Sequence, residues 1–90
     1  MKLTIIGQAK CAPCQIIKNQ VLDRIDELTA IGARFEYINL DILEDKDTFI
    51  HAHKLSSTPT IWISKDGETV KELTGFINVD TLFEMMEGLK

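Results

Sequence analysis

Apolar residues fall on both faces of a short run at residues 2 to 6, where Leu3, Ile5 and Ile6 read as a strand covered on each side. Gly7 and Gln8 end it. From Cys11 onward the apolar positions Cys14, Ile17, Val21, Ile25 and Leu28 recur at steps of three and four, which predicts one long helix with that stripe against a core. Cys14 belongs to the stripe and Cys11 does not. The pattern therefore predicts one buried thiol and one exposed thiol at the start of the helix.

After Gly32 the segment Arg34 to Leu40 is rich in strand-forming residues and bounded by Gly and Asp, so it reads as a second strand. With the first helix as its crossover, it pairs parallel to the first through a right-handed connection. Residues 44 to 54 are polar, with Phe49, Ile50 and Ala52 as the few apolar contacts, and predict a weaker helix. Thr60 to Ile63 and Thr69 to Leu73 flank Lys65-Asp66-Gly67-Glu68, the pattern of a hairpin turning at Asp-Gly. Trp62 lies in a strand expected to be covered on both faces and reads as core. The last helix begins near Asn78, a suitable N-cap, and carries Val79, Leu82, Phe83, Met86 and Leu89 on one face. The order β-α-β-α-β-β-α predicts one α/β domain spanning residues 1–90, a four-stranded mixed sheet with helices on both faces.

Composition narrows the function. Hydrophobic residues make up 44% of the 90-residue chain and charged residues 27%, the balance of an ordinary globule, and the net charge of −4 comes without any run of Lys and Arg. Nucleic-acid binding is not expected. The apolar stretch at the N-terminus is too short for a signal-peptide core or a membrane span, so the expectation is a cytoplasmic protein with no membrane partner. In a reducing compartment a cysteine pair is more often catalytic than structural.

The only two cysteines, Cys11 and Cys14, stand in Lys10-Cys11-Ala12-Pro13-Cys14 where the first strand gives way to the helix. A ring that short constrains little of the unfolded chain, which points to redox chemistry instead of stapling. The alternatives are half of a zinc site, which normally needs a second cysteine or histidine pair, and two incidental buried thiols. His51 and His53 are two apart and do not share a helix face, so no metal site is expected from them.

Three separated features resemble the thioredoxin and glutaredoxin superfamily over nearly the whole chain. Cys11-Ala12-Pro13-Cys14 resembles the thioredoxin C-G-P-C, Thr58-Pro59-Thr60 is similar to the loop carrying the family's cis-proline, and Gly75 sits where a glycine opens the last helix. The resemblance implies a thioredoxin fold without the extra N-terminal strand and helix of full thioredoxins. It also implies a thiol-disulfide oxidoreductase whose only redox group is the Cys11–Cys14 disulfide, with no other cofactor and no metal. Cys11 is then the nucleophile, activated by the helix N-terminus and by Lys10, and Cys14 resolves the mixed disulfide. Ala12 and Pro13 support the pair. Thr58, Pro59 and Gly75 are the expected substrate-binding residues, with a cis Thr58–Pro59 bond lying against the sulfurs.

Within the superfamily the signals divide. Pro13 and the spacing from Pro59 to Asp66-Gly67 resemble thioredoxin, whereas Lys10 and the short N-terminus resemble glutaredoxin. Thr74-Gly75 stands where glutaredoxins hold glutathione with Gly-Gly. The expected partners are disulfide-containing proteins and a thioredoxin-reductase-type donor, with glutathione as the alternative donor, and the expected state is a monomer. A further alternative is a thioredoxin-fold binding module without turnover. Thioredoxins also bury an Asp six positions before the first cysteine, where this chain has Ile5. Tyr37 is the titratable candidate for that acid's role, set against its plainer reading as a sheet core residue.

Overall fold

The computed structural model describes residues 1–90. Its four strands, β1 (Lys2–Gly7), β2 (Arg34–Asn39), β3 (Thr60–Lys65) and β4 (Glu68–Thr74), form one sheet in the order β2-β1-β3-β4. The β1–β2 pair is parallel and the other two pairs are antiparallel, so the mixed sheet follows the sequence expectation. In the hairpin, Asp66 and Gly67 both take positive φ, 56° and 84°, the geometry that Asp-Gly supplies for a two-residue turn.

Strand alternation sorts side chains between two faces. Leu3 and Ile5 of β1 and Ile61 and Ile63 of β3 face a twelve-residue apolar core shared with three helices, α1 (Ala12–Asp23), α2 (Ile25–Ala30) and α4 (Val79–Leu89). Helix α4 is capped by Asn78, whose side chain accepts the Asp80 N–H at 2.8 Å, and it buries Val79, Leu82, Phe83 and Met86 as its spacing predicts. Thr4, Ile6 and Trp62 alternate to the opposite face. There α3 (Lys46–Ala52) carries no fully buried residue, and Phe49, His53 and Trp62 stack on one another with centroids 4.5 to 6.3 Å apart.

Three expectations are corrected. The long first helix is two helices, because Arg24 takes φ −118° and ψ 28° and closes α1. Its guanidinium makes a two-pronged bond to Glu27, at 2.7 and 2.9 Å, reaches Asp80 of α4, and lies 4.7 Å from the centre of the Phe83 ring. The break turns the stripe, so Ile25 is exposed while Leu28 remains buried. Trp62 is only half buried, with its indole N–H donating to Glu72 at 2.6 Å, because α3 covers that face thinly. Gly75 does not open the last helix. It follows β4 directly with φ 91°, and three residues separate it from α4. No helix is long and apolar enough to cross a membrane.

Candidate active site

The site forms where β1 runs out. Beyond Gly7 the carbonyl of Gln8 accepts the Cys11 N–H at 3.1 Å and the Gln15 side-chain amide at 3.2 Å, which folds residues 8–11 into a turn at the head of α1. The Ala9 N–H donates to Asp41 at 2.8 Å and ties that turn to the segment after β2. Cys11 is thereby delivered to the N-cap of α1 in an extended conformation, φ −90° and ψ 101°. Ala12 and Pro13 occupy the first two helical positions, where a missing N–H leaves no bond unmade. Both are exposed, as is Lys10 in the turn.

Cys11 and Cys14 are joined in a disulfide, with Cα atoms 5.2 Å apart. The two sulfurs sit in different surroundings. Cys14 is fully buried in the helical stripe with Ile17 and Val21, whereas Cys11 keeps partial access to solvent. The Cys14 backbone N–H donates to Cys11 Sγ at 3.2 Å. This bond takes the place a hydroxyl or carboxylate fills in an ordinary cap. Helix α1 has no acidic residue in its first turn, so the partial positive charge of its N-terminus is not offset from within the helix. A thiolate at Cys11 gains from both features, and a thiolate is the form that attacks disulfides.

The loop before β3 closes the site. The Thr58–Pro59 peptide is cis, Pro59 is buried, and the Thr58 hydroxyl donates to the Gln8 side-chain carbonyl at 3.4 Å. Gln8 thus holds the cysteine turn with its backbone and the proline loop with its side chain. Gly75 joins them by donating its N–H to the Pro59 carbonyl at 2.8 Å, so Thr58, Pro59 and Gly75 form one connected rim. A groove of about 230 Å³ opens between Gln8, Leu40, Ile50 and the Leu55–Thr58 segment.

Tyr37 of β2 reaches the same place from the sheet. Its hydroxyl accepts from the Gln15 amide at 3.3 Å, and its ring lies beneath the Lys18 ammonium, 4.8 Å from the centroid. Burial raises the Tyr37 pKa above the usual phenol value; the Gln15 bond opposes that shift and the Asp41 charge adds to it. A Cβ placed on Gly7 would stand 2.5 Å from the Tyr37 hydroxyl, 2.8 Å from Cys14 Cβ and 3.1 Å from Cys14 Sγ. Only glycine fits there.

The sequence reading missed Gly7, Gln8, Gln15 and Asp41 as parts of the site. Glycine at a strand end announces a turn and not a contact with sulfur, and a polar residue beside a C-x-x-C carries no spacing signal of its own. His51 and His53 take no part, and no cluster of three or more His, Cys, Asp or Glu side chains is arranged to hold a metal ion.

Comparison with known proteins gives a consistent picture. The model of the thioredoxin-like domain family matches residues 2–90. Thioredoxin of Bacillus subtilis is 30% identical over 76 residues, which cover 84% of this chain and 69% of that protein. Among solved structures, thioredoxin f2 of Chlamydomonas reinhardtii superposes with a TM-score of 0.81 at 18% identity, covering 99% of this chain and 78% of its own. A mutant thioredoxin of Halobacterium salinarum gives 0.78 at 26% identity, with 97% and 72% covered.

Proposed function

The chain belongs to the thioredoxin-like family and is a thiol-disulfide oxidoreductase, and from that premise we propose that it reduces disulfides of other proteins through Cys11 and Cys14. The observation that carries this reading is the difference between the two sulfurs. Cys11 is partly exposed at a helix N-cap that favours its thiolate, and Cys14 is buried one turn on.

In the proposed cycle the Cys11 thiolate attacks one sulfur of a substrate disulfide. The S–S bond breaks and the second substrate sulfur leaves as a thiolate, which takes up a proton. Cys14, losing its proton, then attacks Cys11 Sγ, re-forms the Cys11–Cys14 disulfide and expels the first substrate sulfur. Two electrons have passed to the substrate. Because the attacking groups are held together on one helix, the second step is effectively unimolecular and outruns capture by solution thiols. Lys10 adds a cation beside Cys11. Thr58, Pro59 and Gly75 form the rim along which an extended substrate segment would lie.

The dithiol is recharged, in this reading, by a reductase of the thioredoxin-reductase type. One fold neighbour, thioredoxin f2, was solved in complex with a ferredoxin:thioredoxin reductase. Thr74-Gly75 speaks against glutathione, since glutaredoxins have Gly-Gly at that place in the sequence. The protein would act as a cytoplasmic reductant, with an equilibrium potential below the roughly −180 mV of a disulfide isomerase.

The test is a trap and a recharging assay. Cys14→Ser should accumulate a mixed disulfide between Cys11 and a protein substrate, while Cys11→Ser should abolish turnover. Turnover driven by thioredoxin reductase with NADPH should exceed that driven by glutathione. Stable trapping through Cys14 would overturn the assignment, and efficient turnover with glutathione alone would select the glutaredoxin-like alternative.

A further inference from the structure

We propose that Tyr37 is a positioning residue for the second half of the cycle, its hydroxyl donating a hydrogen bond to Cys14 Sγ once the disulfide opens. The proposal rests on the reading above, in which Cys14 is the resolving thiol.

Geometry carries the argument. The register of the parallel pair sets Ile5 beside Tyr37 and brings Tyr37 onto the face that holds α1. The Tyr37 hydroxyl and Cys14 Sγ then lie about one point, the place a Cβ on Gly7 would take, 2.5 Å from the first and 3.1 Å from the second. Because residue 7 is glycine, no side chain of its own stands between that oxygen and that sulfur. The Tyr37 oxygen already accepts from Gln15, whose amide is anchored on the Gln8 carbonyl, so its own hydrogen is left to point elsewhere. Cys14 Sγ is the reacting atom on that side. Gln15 also fixes the phenol's orientation from α1, the helix that carries Cys14 and is capped by Cys11.

Chemistry decides the direction of the bond. The groups facing the phenol are Lys18 over its ring and Asp41 beside the turn, and burial with the Asp41 charge keeps it protonated. Tyr37 is therefore a donor and not a base. Sulfur accepts weakly as a thiol and strongly as a thiolate, so a donated O–H bond favours the ionised form of Cys14. The proton of Cys14 leaves to water or to the departing substrate sulfur, while Tyr37 keeps its own. A buried thiol otherwise resists ionisation, and ionisation is what the resolving step requires.

The experiment separates the two chemical steps. Reduced protein is mixed with the aryl disulfide dithiobis(nitrobenzoate): Cys11 attack breaks its S–S bond and releases the first thionitrobenzoate, and Cys14 attack on the resulting mixed disulfide releases the second. In Tyr37→Phe the first phase should keep the wild-type rate, and the second should slow about tenfold at neutral pH. The deficit should close as pH rises and Cys14 ionises unaided. A second phase at the wild-type rate across the pH range overturns the proposal, and so does a slowing that does not vary with pH, which is the mark of a merely structural role. Absence of a first phase in the wild type would instead overturn the reading of Cys11. If Tyr37→Phe does not fold, Gln15→Leu carries the test. Releasing the phenol from its anchor should slow the second phase about twofold to threefold beyond any change in the first, and a second phase that only follows the first overturns the proposal.

Discussion

The two faces of the sheet are built to different standards. On one, α1, α2 and α4 close over a core in which Leu3, Ile5, Ile17, Leu82 and Met86 are wholly removed from solvent, and Cys14 lies on that side. On the other, α3 is seven residues long, buries nothing completely, and leaves Trp62 half open against His53 and Phe49. The redox pair depends on the firm face. A resolving thiol has to be held at one distance from its partner, and Cys14, wholly buried with Ile17 and Val21, is held in place by close packing.

This contrast predicts an order of mutational effects. Leu82→Ala, within the closed core, should cost about 2 to 5 kcal/mol of unfolding free energy. Ile50→Ala, on half-buried α3, should cost less than about half as much, and urea titration of both variants measures the gap. Equal losses would show that α3 packs as firmly as α4. Gly7→Ala comes next. Its methyl group would have to displace Cys14 or Tyr37, at about 1 to 3 kcal/mol for overpacking. Activity should fall by more than stability alone explains, which insulin reduction at a temperature well below melting will show.

The pH dependences are smaller. Burial disfavours the phenolate of Tyr37, so its contribution to stability is complete below the ordinary phenol pKa and is lost as pH rises through the raised one. Tyr37→Phe should flatten the alkaline limb of the stability profile. The Arg24 bond lowers the Glu27 pKa, so the opposite sign applies: its contribution is present above the ordinary carboxylate value and disappears as pH falls through the lowered one. Glu27→Gln should differ from wild type at neutral pH and converge with it in acid. Both groups of that pair face solvent, so the difference will be slight.

Much of this contrast was legible in the sequence, for physical reasons. Helix α4 announces itself through five apolar residues at helical spacing behind an Asn cap, and the hairpin through Asp-Gly, because those signals are local. The C-x-x-C at the end of an apolar strand separated a buried sulfur from a more accessible one by period alone. What escaped was set by tertiary partners. The break at Arg24 has no Gly or Pro to mark it and depends on Glu27, Asp80 and Phe83, two of which lie more than fifty residues away. Trp62 looked like core because alternation cannot say how well a distant helix covers a face. Tyr37 stood out as a titratable residue, but its place beside Gly7 and Cys14, and the links of Gln8 and Gln15 to the cysteine turn, depend on strand register and helix docking, which no local pattern encodes.

The inequality of the two thiols, Cys11 partly exposed and Cys14 buried, can be read directly. Fully reduced protein should be pulsed with iodoacetamide at neutral pH for increasing times, quenched, and mapped by mass spectrometry after digestion. Label should appear first and almost wholly on Cys11, reaching Cys14 only after long exposure or on unfolding. Equal labelling of the two sulfurs, or earlier labelling of Cys14, would contradict the assignment of nucleophile and resolving thiol.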